Sequence, residues 1–199
     1  IRDSACAVVS IGAHHLKGIG LLPSAAMMFL GKPDAADPFA TTSKGIGQAL
    51  SEIFMEISNS LGVCYFMVAN RPDKVTMEKL SDALWAVTGM RLTPDELYAA
   101  AERVINIQKA FNSRLGLTRR DDTLCHRWMN EPQAEGYSKG MKAANYLESA
   151  KDEYYEARGW DKETSLQTWE KLENLGLVDV AKILQEDNAV IVGHPNKQQ

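Results

Sequence analysis

Apolar residues at helical spacing organise this chain after its first forty positions. Ile46, Leu50, Ile53, Phe54, Ile57 and Leu61 recur every three or four residues, which predicts an amphipathic helix from Ser43 to Leu61 with one buried face. Gly62 supplies the permissive backbone that ends such a helix, so Cys64 falls at a sharply defined turn. A second helix is predicted over about Thr76–Val87, with Leu80, Leu84 and Val87 inward and Gly89 as its stop. The third opens at Thr93-Pro94-Asp95-Glu96. Thr93 is a good N-cap, Pro94 suits the first helical position, and Glu96 completes a capping box. Leu97, Ala101, Val104, Ile105, Gln108 and Phe111 carry that helix to about Arg114. Further helices are expected from about Gly140 to Arg158, from Ser165 to Leu175 and from Asp179 to Gln185.

Before Ser43 the pattern breaks down. Gly12, Gly18, Gly20, Pro23, Gly31, Pro33 and Pro38 punctuate short apolar pieces, so residues 1 to about 42 read as irregular. Cys6 to Ile11 and Ala189 to Val192 are the only β-branched apolar runs, and both are short. The expected fold is all-α, with an irregular segment over 1–42 and a helical body over 43–199.

Composition narrows the function classes. At 199 residues with 45% hydrophobic and 24% charged positions, the chain is long enough for one sizeable core. A net charge of −4 argues against a nucleic-acid partner or a polybasic membrane surface. No apolar run approaches the roughly 20 residues that cross a bilayer. The chain opens Ile1-Arg2-Asp3-Ser4, without a methionine or a signal peptide, and is expected to be a fragment or a processed product. Cys6, Cys64 and Cys125 are odd in number and widely spaced, which points to a reducing cytoplasm and not to a disulfide framework. Three cysteines cannot complete a four-thiolate cluster, so any such site would need ligands from elsewhere.

Three segments could carry chemistry. Cys64 is either a small buried hydrophobe at a helix end or a thiolate aimed at a cofactor. The Phe111–Leu124 connection gathers Arg114, Arg119, Arg120, Asp121 and Asp122. It is either a solvated turn or a loop held by Arg–Asp pairs, whose forked donors match carboxylates. Asp152 to Asp161, read alone, is a helix C-terminus with an aromatic packing face.

Taken in order, Ser60-Leu61-Gly62-Val63-Cys64, the Phe111–Leu124 loop and Asp152–Asp161 resemble the C-terminal region of the tungsten-containing aldehyde ferredoxin oxidoreductases. The tail Lys171-Leu172-Glu173-Asn174-Leu175-Gly176-Leu177 fits the same family's ending, and the similarity extends over most of residues 43–185. The resemblance implies a tungsten or molybdenum atom held by two pterins beside a 4Fe–4S cluster. In that family an Asp-x-x-Gly-Leu-Cys pattern touches a pterin with its first residues and supplies the last cluster ligand with its Cys. Carried over by position, Cys64 is the cluster ligand, and Asn59 and Val63 are pterin-contacting residues. Asn59 stands where the family usually has Asp; it keeps one carbonyl acceptor, loses the charge and gains two donors.

Near the start, Gly12-Ala13-His14-His15-Leu16-Lys17-Gly18 resembles the family's Gly-rich segment ending in His-Leu-Arg or His-Leu-Lys. By this resemblance His15 lies by the metal and the substrate carbonyl, Lys17 reaches a pterin or its phosphate, and residues 1–42 contribute to the cofactor site. The implied activity is oxidation of an aldehyde to a carboxylic acid with ferredoxin or a similar carrier as acceptor, by a polypeptide of which this chain is one part. Two alternatives stay open: a related tungsten reductase subunit acting on aromatic thioesters, and a helical interaction domain without cofactors. Cys6, Cys125, His126 and His194 have no assigned role.

Overall fold

The computed structural model describes residues 2–18, 31–37, 40–70, 74–187 and 189. Among them the chain is helical, and its only β feature is an isolated antiparallel bridge between Trp160 and Gln167. The helices are α1 (Arg2–Val8), α2 (Lys44–Leu61), α3 (Tyr65–Asn70), α4 (Met77–Thr88), α5 (Pro94–Arg114), α6 (His126–Asn130), α7 (Leu147–Arg158), α8 (Trp169–Asn174) and α9 (Val178–Glu186). Short 3-10 turns lie at His15–Gly18, Pro33–Ala35 and Ala143–Asn145. The all-α expectation holds.

Local signals place several ends correctly. The Thr93 hydroxyl accepts from Glu96 N at 3.2 Å, and the Glu96 carboxylate accepts from Thr93 N at 2.7 Å, closing the capping box. Thr76 caps α4 through Lys79 N. Other ends move. The expected helix from Gly140 begins only at Leu147, after the 3-10 turn at Ala143–Asn145. The helix expected from Ser165 begins at Trp169, because Ser165 takes a positive φ of 62° and Gln167 bridges back to Trp160, leaving Thr168 as the N-cap. Inside the first segment, part of the Cys6–Ile11 apolar run forms the end of α1, where Ala5, Val8 and Val9 are buried. Tertiary burial there outweighs the β-branched preference. Of the Ala189–Val192 run only Ala189 is described, and His194 also lies outside the described residues.

The largest difference concerns α2. It packs between α7 and α5, and its apolar residues Leu50, Ile53, Phe54 and Ile57 meet Leu97, Ala101, Ile105, Leu147 and Tyr154 in the main core. Its polar side is buried as well: Gln48, Ser51 and Glu52 are 0% exposed, and Glu56 is 3%. Partners from distant segments make this possible. Arg158 donates to Glu52 at 2.7 Å and to Glu102, and its second terminal nitrogen also donates to the Ala49 carbonyl at 2.9 Å. Tyr154 donates its hydroxyl to Glu52 at 2.6 Å, and Ser51 and Tyr65 share a hydrogen bond of 3.2 Å. The start of α2 is likewise capped from outside. Ser43 makes no side-chain cap; the Glu153 carboxylate on α7 accepts from Ser43 N at 2.9 Å and from Gly45 N at 3.0 Å.

A smaller cluster of Ala110, Leu172, Ala181 and Leu184 joins α8 and α9 to the end of α5. The Phe111–Leu124 connection is pinned to α7, which selects the Arg–Asp alternative over a solvated turn. Arg119 donates to Asp152 at 2.5 Å, to Glu148 at 2.6 Å and to the Lys162 carbonyl at 2.7 Å, while its guanidinium lies over the Tyr155 ring. The Tyr155 hydroxyl in turn donates to Asp122. Two of the segments read separately from the sequence therefore form one interlocked unit.

Candidate functional site

Two features of the described residues answer to the site expectations, and both are built on α2. The first is its C-terminal end. Gly62 takes a φ of 68°, its N–H donates to the Asn59 carbonyl at 3.3 Å, and Val63 N–H donates to the Ser58 carbonyl at 3.0 Å. This pair of bonds is a Schellman ending, which fixes the direction in which the chain leaves the helix. Cys64 follows at once, immediately before α3, its carbonyl accepting from Met67 N at 3.0 Å. The thiol is exposed, in contrast to the buried alternative. Around it Val63, Phe66 and Met67 are also exposed, at 38%, 52% and 60%. Apolar side chains left open beside a thiol form a surface suited to contact with another body. Asn59 is exposed at the same end, so the structure brings Asn59, Val63 and Cys64 together.

The second feature is the turn His15–Gly18. His14 and His15 stack with ring centroids 5.9 Å apart and planes within 12°. His15 is exposed, whereas His14 is half-buried and its Nδ1 has no partner. Lys17 points inward. It is 2% exposed, and its ammonium donates to Glu56 and, at 3.0 Å, to Gln108. Burial pushes its pKa below the ordinary lysine range; the Glu52 carboxylate opposes this and the Arg158 guanidinium adds to it. Gln48 donates to the Lys17 carbonyl at 2.9 Å, while its own Oε1 is buried without a partner. The turn is thus fastened to the helix whose end carries Cys64. Glu56 stands five residues before Leu61, or about 8 Å of helical rise.

Sequence reasoning missed Glu56, Gln48 and Gln108 because each reads as an ordinary polar position on an amphipathic helix. Each of them meets Lys17, which no local pattern connects to them. Cys125 and His126 are exposed at the start of a different helix, α6, with Cys125 at its N-cap, and Cys6 is half-buried in α1. Among the described residues no group of three or more His, Cys, Asp or Glu side chains could hold a metal ion. None of the described helices is long and apolar enough to cross a membrane.

The family model described as aldehyde ferredoxin oxidoreductase, domains 2 and 3, matches residues 4–177. The tungsten-containing aldehyde ferredoxin oxidoreductase of Pyrococcus furiosus is 30% identical over 172 residues, covering 84% of this chain and 26% of that protein. Enzymes of the same name from Pyrococcus horikoshii and Thermococcus kodakarensis are 28% and 27% identical, with 83% and 84% of this chain covered and 26% of each relative. The chain therefore spans about a quarter of the length of the curated relatives it matches. A solved structure described as the active site complex BamBC of benzoyl coenzyme A reductase with 1,5-dienoyl-CoA superposes with a TM-score of 0.62 at 20% identity. It covers 79% of this chain and 22% of that one, and shows a shared fold. With the family model matched over most of its length, the chain belongs to the aldehyde ferredoxin oxidoreductase family.

Proposed function

We propose that this chain is one wall of the active site of a tungsten–pterin, iron–sulfur oxidoreductase that oxidises aldehydes to carboxylic acids and passes the electrons to ferredoxin or a similar carrier in the cytoplasm. The observation that carries this reading is the exposed thiol of Cys64 beyond a rigidly capped helix end, in a chain of this family. The donor set fits. An accessible cysteine outside any group of three or more His, Cys, Asp or Glu side chains among the described residues suits a chain contributing a single cluster ligand, the other three coming from elsewhere in the polypeptide. At the His15 turn, the unpartnered His14 Nδ1 and Gln48 Oε1 are polar atoms left for a group that the protein itself does not supply.

When bound, the tungsten (or molybdenum) bis-pterin supplies oxygen-atom transfer and a two-electron reservoir, and the cluster relays electrons one at a time. The chain's own residues do the rest. Cys64 ligates the cluster, and the Schellman ending before it fixes that sulfur in place. Asn59 offers a carbonyl acceptor and two N–H donors to a pterin. The Val63 N–H is committed to Ser58, so its contact runs through the isopropyl group or the carbonyl. Lys17 is 2% exposed and commits its ammonium to Glu56 and Gln108, so it holds the histidine turn from inside and does not face a pterin or its phosphate. His15, exposed on the turn, orients the substrate carbonyl and accepts a proton as the aldehyde and water become the acid, two protons and two electrons. Residues 1–42 then contribute the histidine turn, and 43–199 the helical body.

In the full polypeptide, His15→Ala should lower turnover of a small aldehyde about 100-fold with tungsten retained, the span of a lost acid–base group. An unaltered steady-state rate would remove His15 from the site. Turnover of an aromatic thioester in place of any aldehyde would select the related reductase chemistry, and a colourless, metal-free full polypeptide would select a plain helical interaction domain.

A further inference from the structure

The turn that carries the two histidines is held by polar groups from two helices at once, buried on α2 and half-buried at Gln108. The Lys17 ammonium reaches Glu56 on α2 and Gln108 on α5, and the Lys17 carbonyl accepts from Gln48. One residue is thus gripped at its side chain and at its backbone, and Glu56 and Gln48 are themselves buried. Stability does not account for this arrangement. The cost of taking two charges out of water about cancels their attraction, and apolar residues of the same volume would serve the core as well. A directed pair does provide a fixed place. A lysine ammonium bonded to two fixed acceptors is held at one position, whereas an apolar side chain such as methionine adapts to many. The atoms left without partners here, His14 Nδ1 and Gln48 Oε1, lie on the gripped turn and on its holder.

We propose that Glu56 and Gln108 are positioning residues, which fix Lys17 and, through it, the stacked His14 and His15 rings against α2. This rests on the reading of His15 as an active-site residue, but the grip itself can be measured without it. In the full polypeptide, Lys17→Met/Glu56→Leu removes both charges at similar volume, and Gln108→Leu removes one acceptor. Amide hydrogen exchange is followed at residues 14–18 and at 101–105 of α5, alongside kcat and KM for an aldehyde. The double variant should speed exchange at 14–18 at least tenfold and Gln108→Leu about threefold, with 101–105 unchanged in both. For the double variant kcat should fall at least tenfold while KM stays within threefold. Unchanged exchange at 14–18 in both variants overturns the grip. Equal acceleration at 101–105 shows a pair that merely holds the core together. Faster exchange at 14–18 with kcat intact overturns the positioning of His15. If the unmutated polypeptide oxidises no aldehyde, the reading of the site fails instead, and the exchange result alone decides whether Glu56 and Gln108 fix the turn.

Discussion

Arg158→Met should be among the most damaging single changes in this chain. Arg158 is 1% exposed and sits between Glu52 and Glu102, which are 0% and 5% exposed, with Tyr154 beneath its guanidinium and donating to the same Glu52. Burial and the neighbouring carboxylates act together here: Tyr154 is held protonated well above the ordinary phenol range, first by desolvation and then by the Glu52 charge. Deleting the guanidinium leaves two carboxylates sealed in the core, with Lys171 at 2.7 Å from Glu102 and the buried Lys17 ammonium acting on Glu52 as the remaining cations. Breaking a buried ionic group in this way costs about 3–5 kcal/mol. For a cooperative unit of this size that lowers the thermal midpoint by about 10 °C. Replacing Glu52, Glu102, Tyr154 and Arg158 together by Leu, Met, Phe and Met should recover most of the loss, because apolar residues can fill the same volume. A midpoint that barely moves in Arg158→Met would mean that water reaches the cluster.

Gly45→Ala gives the second large effect, and here two principles oppose one another. Alanine is the better helix former by about 1 kcal/mol, so propensity alone predicts a gain. A methyl group at Gly45, however, would lie 2.1 Å from the Ala150 carbonyl oxygen, 2.4 Å from Tyr154 N and 2.6 Å from Glu153 Cβ. Two of those atoms belong to the α7 backbone and cannot swing aside, so α2 and α7 must part. Parting them breaks the Glu153 cap on Ser43 and Gly45 and opens the packing around Tyr154. We expect a net loss of about 3 kcal/mol, the upper range for overpacking, read as a lower thermal midpoint of the full polypeptide. An unchanged or raised midpoint would show that the two helices can separate at little cost.

Both predictions concern features hidden from a sequence reader. The helix over residues 44–61 is legible because its apolar residues repeat at helical spacing, and its stop is legible because Gly62 must take a positive φ. The start of α5 is equally plain, since the Thr93–Glu96 box is local. What escapes is everything supplied from far along the chain. Gln48, Glu52 and Glu56 read as a solvent-facing stripe, and only Lys17, Tyr154 and Arg158, some 30 to 110 residues away, turn that stripe into a second buried face. Glu153 takes over the cap that Ser43 does not make. For the candidate site the balance is similar. The exit of α2 toward Cys64 follows from Gly62, but the exposure of the thiol, its apolar surround and the inward turn of Lys17 are tertiary facts. So are α1, α3 and α6, short helices too brief to stand on propensity alone.

If Cys64 is one of four thiolates holding an iron–sulfur cluster whose remaining ligands lie outside this chain, the cluster's iron should depend on it. Iron and tungsten per polypeptide, determined together for the full-length protein and for Cys64→Ser, test it most directly. Tungsten and about four irons are expected in the unmutated protein. Cys64→Ser should lose most of the iron and the brown colour, with the helical circular dichroism unchanged. Four irons retained in Cys64→Ser would contradict this ligation.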